Sequence, residues 1–172
     1  MNQTYSTPRS FNEAMSSLNK EKWNNEIKRE LLNMEKLNVW TLRKKIINDH
    51  SITSTWVFKE KQDSTGETIE YKAFLCAHGF HQILGLDCQN TFSPTGILST
   101  LQTLISFPAI QKDQFHQTDV QSAFLNAPLQ EICLGIPQGV MANKDTQVLQ
   151  LNKEFYGLKK ASLAWYNYLS KW

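Results

Sequence analysis

The segment TWVFKEKQDSTGETIEYKAFLCA, residues 55–77, reads as two strands joined by a tight turn. Thr55 to Lys59 is rich in aromatic and β-branched residues, the side chains that suit a pleated, half-buried surface. Asp63-Ser64-Thr65-Gly66 carries turn chemistry, an Asp that bonds its own backbone and a Gly free to take positive φ. Tyr71 to Ala77 is then the returning strand of a hairpin. A lone hairpin is marginal in water, so it needs further elements to cover it. Upstream, Val39 to Leu42 is another short strand. Before it, Trp23, Ile27, Leu31 and Met34 fall at spacings of four, four and three. That is one apolar stripe, and it predicts a helix from about Ser17 to Leu37. Lys20, Lys22, Lys28 and Arg29 alternate with Glu21, Glu26 and Glu30 on its other side, which reads as a solvated face. Residues 1–12 read as a loose lead-in.

Downstream of the hairpin a loop runs through Gly79, Gly85 and Pro94. Ile97 to Ile105 predicts a helix with Leu98, Leu101, Leu104 and Ile105 on one side, which Pro108 should end or kink. Phe115 to Val120 reads as a strand leading into a tight segment over Ser122–Leu129. Ile132–Ile136 and Val148–Leu151 are two more strands, joined by a polar loop. Lys160 to Trp172 reads as a helix bearing Trp165, Tyr166 and Tyr168. Helix, hairpin, helix, strand and hairpin in that order predict an α+β fold.

Composition sets the outer bounds. The chain has 172 residues, 41% of them hydrophobic, which suits one domain with a core of its own. No window approaches the ~18 uninterrupted apolar residues of a membrane span. Met1 to Ser10 lacks the apolar centre of a signal peptide, so an intracellular, non-secreted protein is expected. Cys76, Cys88 and Cys133, odd in number and without CxxC spacing, speak against a disulfide scaffold and suit a reducing compartment. The 18 basic and 16 acidic residues leave a net charge of +2, too little to announce nucleic-acid binding. Residues 1–80 hold 12 basic and 10 acidic groups, and residues 81–172 hold six of each.

Asp119 is the carboxylate best placed for chemistry, in Gln117-Thr118-Asp119-Val120-Gln121-Ser122-Ala123-Phe124-Leu125-Asn126. A strand-end Asp followed by small and aromatic residues can hold a divalent cation beside a shaped pocket. On spacing alone, a turn or capping Asp is the plainer reading. Cys76, His78, His81 and Cys88 place four soft ligands within thirteen residues. Their spacing matches none of the paired zinc patterns, so buried thiols and surface histidines are expected instead. No glycine-rich phosphate loop, HExxH or GxSxG is present, and neither His50 nor His116 lies in a pattern that suggests a nucleophile pair.

Six collinear motifs resemble one family. They are Trp56-Val57-Phe58-Lys59, Tyr71-Lys72-Ala73, Gly79-Phe80-His81-Gln82, Thr91-Phe92-Ser93-Pro94, the Asp119–Asn126 segment, and Phe155-Tyr156-Gly157-Leu158-Lys159-Lys160-Ala161 with Ala164-Trp165-Tyr166. Together they are similar to the copia-type retrotransposon reverse transcriptase, over about residues 13–172. The resemblance implies a right-hand polymerase, an RNA-directed DNA polymerase (nucleotidyltransferase) within a Pol polyprotein. Residues of about 13–112 would be fingers-like and about 113–172 the start of the palm. It further implies a partial reverse transcriptase domain that binds an RNA or DNA template-primer and deoxynucleotides, with Mg2+ as cofactor and no membrane partner. Asp119 would bind the metal, assisted by the backbone carbonyl of Val120. Phe124, beside Ala123, would sit under the sugar of the incoming nucleotide, where a 2′-hydroxyl meets a ring that offers it no hydrogen bond. Read without the family, Phe124 is equally a core residue. Tyr156, Gly157 and Lys159 would line the nucleotide pocket. Lys59, Lys61 and Lys72 would meet triphosphate or template backbone as point charges on flexible stems; taken alone, lysines on a hairpin are simply solvated. Ile136-Pro137-Gln138-Gly139 resembles a pocket motif of retroviral enzymes. Gln138 follows Asp119 by only 19 positions, however, so it is read as a loop residue.

Departures from the family pattern carry their own expectations. Copia-type enzymes read Lys-Ala-Arg-Leu-Val-Ala-Lys-Gly where this chain has Lys72-Ala73-Phe74-Leu75-Cys76-Ala77-His78-Gly79, so two basic residues are gone. Ser162-Leu163 replaces a usual Pro-Arg, and Pro108 falls in a helix that is normally continuous. The family's remaining catalytic carboxylates belong to a Tyr-x-Asp-Asp hairpin. After Asp119 these residues hold only Glu131, Asp145 and Glu154, none adjacent. Three readings follow: a piece of a reverse transcriptase that is inactive alone, a non-catalytic nucleic-acid-binding remnant, and a degenerate element that does not fold.

Overall fold

The stripe at Trp23, Ile27, Leu31 and Met34 folds as expected. A computed structural model describes residues 7–172 apart from 48, 86, 88, 89 and 115, and apart from the side chains at 130 and 131. Cys88, Phe115, the side chain of Glu131 and the first six residues of the lead-in therefore lie outside the described residues. Helix α2 spans Lys20–Lys36 and buries Trp23, Ile27 and Met34, with Leu31 half-buried beside them. A short α1, Phe11–Ser16, precedes it, capped where Ser10 Oγ accepts from Glu13 N at 3.2 Å. Helical structure thus begins inside the expected lead-in.

The hairpin forms as read. Strands β3 (Ser54–Gln62) and β4 (Thr68–Ala77) pair antiparallel, with Trp56 opposite Leu75 and Phe58 opposite Ala73. Asp63 Oδ1 accepts from the backbone of Thr65 and Glu67, which closes the turn. Along β4 the period of two sends Ala73, Leu75 and Ala77 into the core. Lys72, Phe74 and Cys76 are left half-buried on the other face.

A second sheet has the order β1-β6-β5-β2, from β1 (Trp40–Lys44), β2 (Ser51–Ile52), β5 (Pro128–Leu134) and β6 (Gln147–Lys153). Its strands pair antiparallel except β2 with β5. The core lies between this sheet, the hairpin and α2, with Ile52, Leu125, Leu134, Leu149, Leu151 and Phe155 fully buried in it. This arrangement of helices beside mainly antiparallel strands is of the α+β kind. A terminal helix α4, Ala161–Leu169, follows β6. No helix among the described residues is long and apolar enough to cross a membrane.

Two expectations need correction. Helix α3 spans Leu98–Gln111 and does not end at Pro108, which lies inside it. Proline's φ suits a helix, and the hydrogen bond it removes leaves a carbonyl that water can reach because the helix is exposed. The true stop is Lys112, left-handed at φ 59°, with Asp113 N bonded to Pro108 O at 3.0 Å. None of the residues of α3 is buried, so Leu98, Leu101, Leu104 and Ile105 face solvent. The second correction concerns the strand expected at 115–120. Residues 116–120 are unpaired, because strand propensity is realised only against a free sheet edge. Asp119 therefore sits on an irregular segment and not at a strand end.

Candidate functional site

Asp119 and Val120, both exposed, lead into Ser122, which takes left-handed backbone angles (φ 52°, ψ 42°) before a 3-10 turn over Ala123–Asn126. That turn is held by Leu125 N on Ser122 O and by Asn126 Nδ2 on the same oxygen. It buries Leu125 and leaves Phe124 half-buried. Phe124 meets Tyr156 edge-on at 6.0 Å, and Tyr156 meets Phe74 of β4 in the same manner at 6.1 Å. Tyr156 is carried by the loop after β6, which is tied to the end of β4. Ala77 N donates to Tyr156 O at 2.7 Å, and the two segments lie so close that a Cβ at Gly79 would meet Gly157 O and a Cβ at Gly157 would meet Ala77 O.

These segments enclose one cavity of about 690 Å³. Lys72, Phe74, Asp119, Val120 and Tyr156 line it, so five expectations converge from three distant parts of the chain once Phe74, the residue standing where the family carries arginine, is counted. Ala123, Phe124 and Gly157 do not line it, although the Phe124 ring meets the lining Tyr156 edge-on. Lys59 and Lys61 do not line it. Lys59 faces Lys72 across the hairpin, with its ammonium 6.0 Å from the Phe74 ring centre. Glu70 sits 4.0 Å from Lys61 and 3.4 Å from Lys72, which partly neutralises both. Lys159 points elsewhere, its ammonium on Gln82 O at 3.0 Å while its N–H donates to Gln82 Oε1. Gln138 is a loop residue whose carbonyl accepts from Trp56 Nε1 at 2.9 Å. Of the soft-ligand cluster, Cys88 lies outside the described residues, and no metal-holding group of three forms among the described ones. His78 and His81 each turn Nδ1 to Thr53 Oγ1, at 2.7 and 3.0 Å.

The fourth wall of the cavity comes from α2, through Arg29, Glu30, Asn33 and Lys36. The polar side of this helix, expected to be merely solvated, thus has an inward flank. Glu26 and Arg29 form an ion pair there. Burial pushes the Glu30 carboxyl up to about 7, against a backbone hydrogen bond at Leu75 and the charge of Arg29. Its Oε1 is buried with no partner among the described residues. Charge alternation on a helix is blind to such a flank, because it depends on where β4 and the Tyr156 loop lie.

A second buried acid adjoins the Tyr156 loop. Glu154 is 2% exposed, its Oε2 has no partner among the described residues, and burial pushes its carboxyl up to about 7 against the charge of Lys160. Its folded pKa is above that of the unfolded chain, so stability from this group is fully present below about pH 4.5. It is lost as pH rises through 7. Glu154→Gln is therefore expected to stabilise the protein by about 1–3 kcal/mol at pH 8 and by much less at pH 5. Urea denaturation at the two pH values checks this.

A family model described as reverse transcriptase (RNA-dependent DNA polymerase) matches residues 37–172. The chain belongs to the reverse transcriptase family. It is 33% identical over 161 residues to the retrovirus-related Pol polyprotein from transposon TNT 1-94 of Nicotiana tabacum, covering 92% of this chain and 12% of that protein. It is 32% identical over 163 residues to the corresponding polyprotein from transposon RE1 of Arabidopsis thaliana, covering 91% and 11%. The polyprotein from transposon RE2 of the same plant is 36% identical over 113 residues, covering 64% and 8%. The chain thus spans about an eighth or less of the length of these copia-type relatives. No solved structure matches it.

Reverse transcriptases generally use divalent metal ions. The donors here fit such an ion at one point. Asp119 offers exposed carboxylate oxygens to the cavity, whereas Glu26 and Glu70 are in ion pairs and Glu30 resists ionisation. No group of three His, Cys, Asp or Glu side chains converges among the described residues. Two-ion phosphoryl transfer needs several carboxylates on ions about 3.5–4 Å apart. The described residues do not build that arrangement.

Proposed function

We propose that this chain forms the fingers (about 13–112) and the first part of the palm (about 113–172) of a retrotransposon reverse transcriptase, and that the cavity beside Asp119 receives the incoming deoxynucleotide. The observation that carries the reading is the meeting of Lys72, Asp119, Val120 and Tyr156 on one cavity wall, although they lie up to 84 positions apart in the chain. In this reading Asp119, with the Val120 carbonyl, supplies the first oxygen ligands for Mg2+. Lys72 attracts the triphosphate. Phe124, supported by Ala123, Tyr156 and Gly157, meets the sugar. Lys59 and Lys61 extend the basic edge toward template, and Lys159 serves the pocket indirectly by fastening its loop to Gln82.

The same reading makes these 172 residues catalytically incomplete, because one carboxylate cannot hold two ions in position. Purified protein given an annealed template-primer, deoxynucleotides and Mg2+ is expected to extend no primer beyond the level of its Asp119→Ala variant. Template-dependent synthesis that disappears in the variant overturns the incompleteness. Binding of Mg·dTTP, followed by tryptophan fluorescence, is expected to weaken about tenfold or more in Asp119→Ala and in Lys72→Ala. Equal affinity in all three proteins removes the nucleotide reading.

A further inference from the structure

Asn33 stands outside the matched family segment, on a helix whose polar side looked purely solvated, yet its side chain reaches the Asp119 segment. Asn33 Nδ2 donates to Ser122 Oγ at 2.9 Å across 89 positions of sequence. Ser122 is three residues after Asp119 and two before Phe124, and it is a non-glycine residue in left-handed backbone, a conformation that surrounding contacts must hold. Ser122 and Tyr156 line the same cavity, and the 3-10 turn that Ser122 opens carries Phe124, whose ring packs edge-on against Tyr156 at 6.0 Å. The chain of contacts then runs from α2 through the Ser122 hydroxyl to the turn that bears Phe124.

We propose that Asn33 is a positioning residue for sugar selection: through Ser122 it holds the left-handed start of the turn that carries Phe124, and with it the place of the Phe124 ring against the sugar of a bound nucleotide. The inference rests on the nucleotide reading above. Asn33 touches no nucleotide itself. Its effect is on discrimination, because a Phe124 ring free to shift gives a 2′-hydroxyl the space that a fixed ring denies.

The test uses the full chain, with Mg·dUTP and Mg·UTP, which differ only at the 2′ position, as the two probes in fluorescence titrations. Wild type is expected to favour dUTP, and Asn33→Ala to lose about three- to tenfold of that preference while retaining dUTP binding. Ser122→Ala should lose the same preference, and the double variant should lose no more than either single one, as members of one contact chain do. A preference unchanged in Asn33→Ala, or additive losses in the double variant, overturns the inference and leaves the nucleotide reading standing. Failure of wild type to bind either nucleotide removes both.

Discussion

Replacing Gly157 by alanine is expected to cost about 4–6 kcal/mol of folding stability, most of what a domain of this size has to lose. Two effects combine. Gly157 has φ +88°, where an L side chain is strained by about 1–3 kcal/mol. A Cβ there would also lie 2.2 Å from the carbonyl oxygen of Ala77, which is backbone and cannot swing away. The loop has to lift off the end of β4 to relieve the overlap, and lifting breaks the 2.7 Å bond from Ala77 N to Tyr156 O. Both groups lie near the buried core, so each loses its partner without a ready replacement by water. Urea denaturation of the two proteins measures the difference, and a loss below about 1 kcal/mol is incompatible with the packing of this loop. Gly79 faces the same junction from the other side, where a Cβ would lie 2.1 Å from Gly157 O.

Trp23→Ala is expected to cost about 3–5 kcal/mol, the range for emptying a buried indole site. Trp23 is 1% exposed and meets two aromatic rings of the hairpin edge-on, Phe58 at 5.2 Å and Tyr71 at 4.7 Å. Each such pair adds about 0.5–1.5 kcal/mol beyond the area it buries. The indole is thus the main fastening between α2 and the β3–β4 hairpin. Trp23→Phe keeps part of the contact and should cost roughly half as much. Thermal or urea unfolding checks both variants. A loss for Trp23→Ala as small as that of an exposed position, such as Leu18→Ala, contradicts the fastening role. Because α2 also carries Asn33 and Glu30, loosening it should open the cavity wall before the sheet is affected.

The parts of this fold that could be read from sequence are those whose signal is local. The stripe of α2 repeats every three or four residues, and the hairpin has both its alternation and its Asp63–Gly66 turn, so each element advertises itself over a dozen residues. The β5–β6 pair was legible for the same reason. Strand β2 was not, since Ser51–Ile52 is too short for a pattern and exists because it lies beside Cys133 and Leu134. The unpaired course of 116–120 was also hidden, because propensity reports what a segment would do beside a sheet edge, not whether one is available. At the site, Asp119 stood out from its own segment, Phe124 and Tyr156 were named from motif resemblance, and the cavity brings Asp119 and Tyr156 together. Asn33 and Glu30 were missed because their neighbours, Ser122 and β4, are far away in sequence. An Asn in the last turns of an otherwise charged helix was the one available hint.

Helix α3 gives the molecule an uneven resistance to opening. Fourteen residues are close to the shortest helix that water tolerates without tertiary support, and Pro108 lowers the margin further. Nothing buried holds α3 in place, whereas α2 is anchored by Trp23, Ile27 and Met34. Local unfolding of residues 98–111 therefore requires little of the free energy that keeps the sheets together. The helix–coil equilibrium of this one segment is nearly independent of the global transition, and its backbone amides meet solvent long before those of β3, β4 or α2. The protein has one folding cooperativity for its core and another, much weaker, for α3.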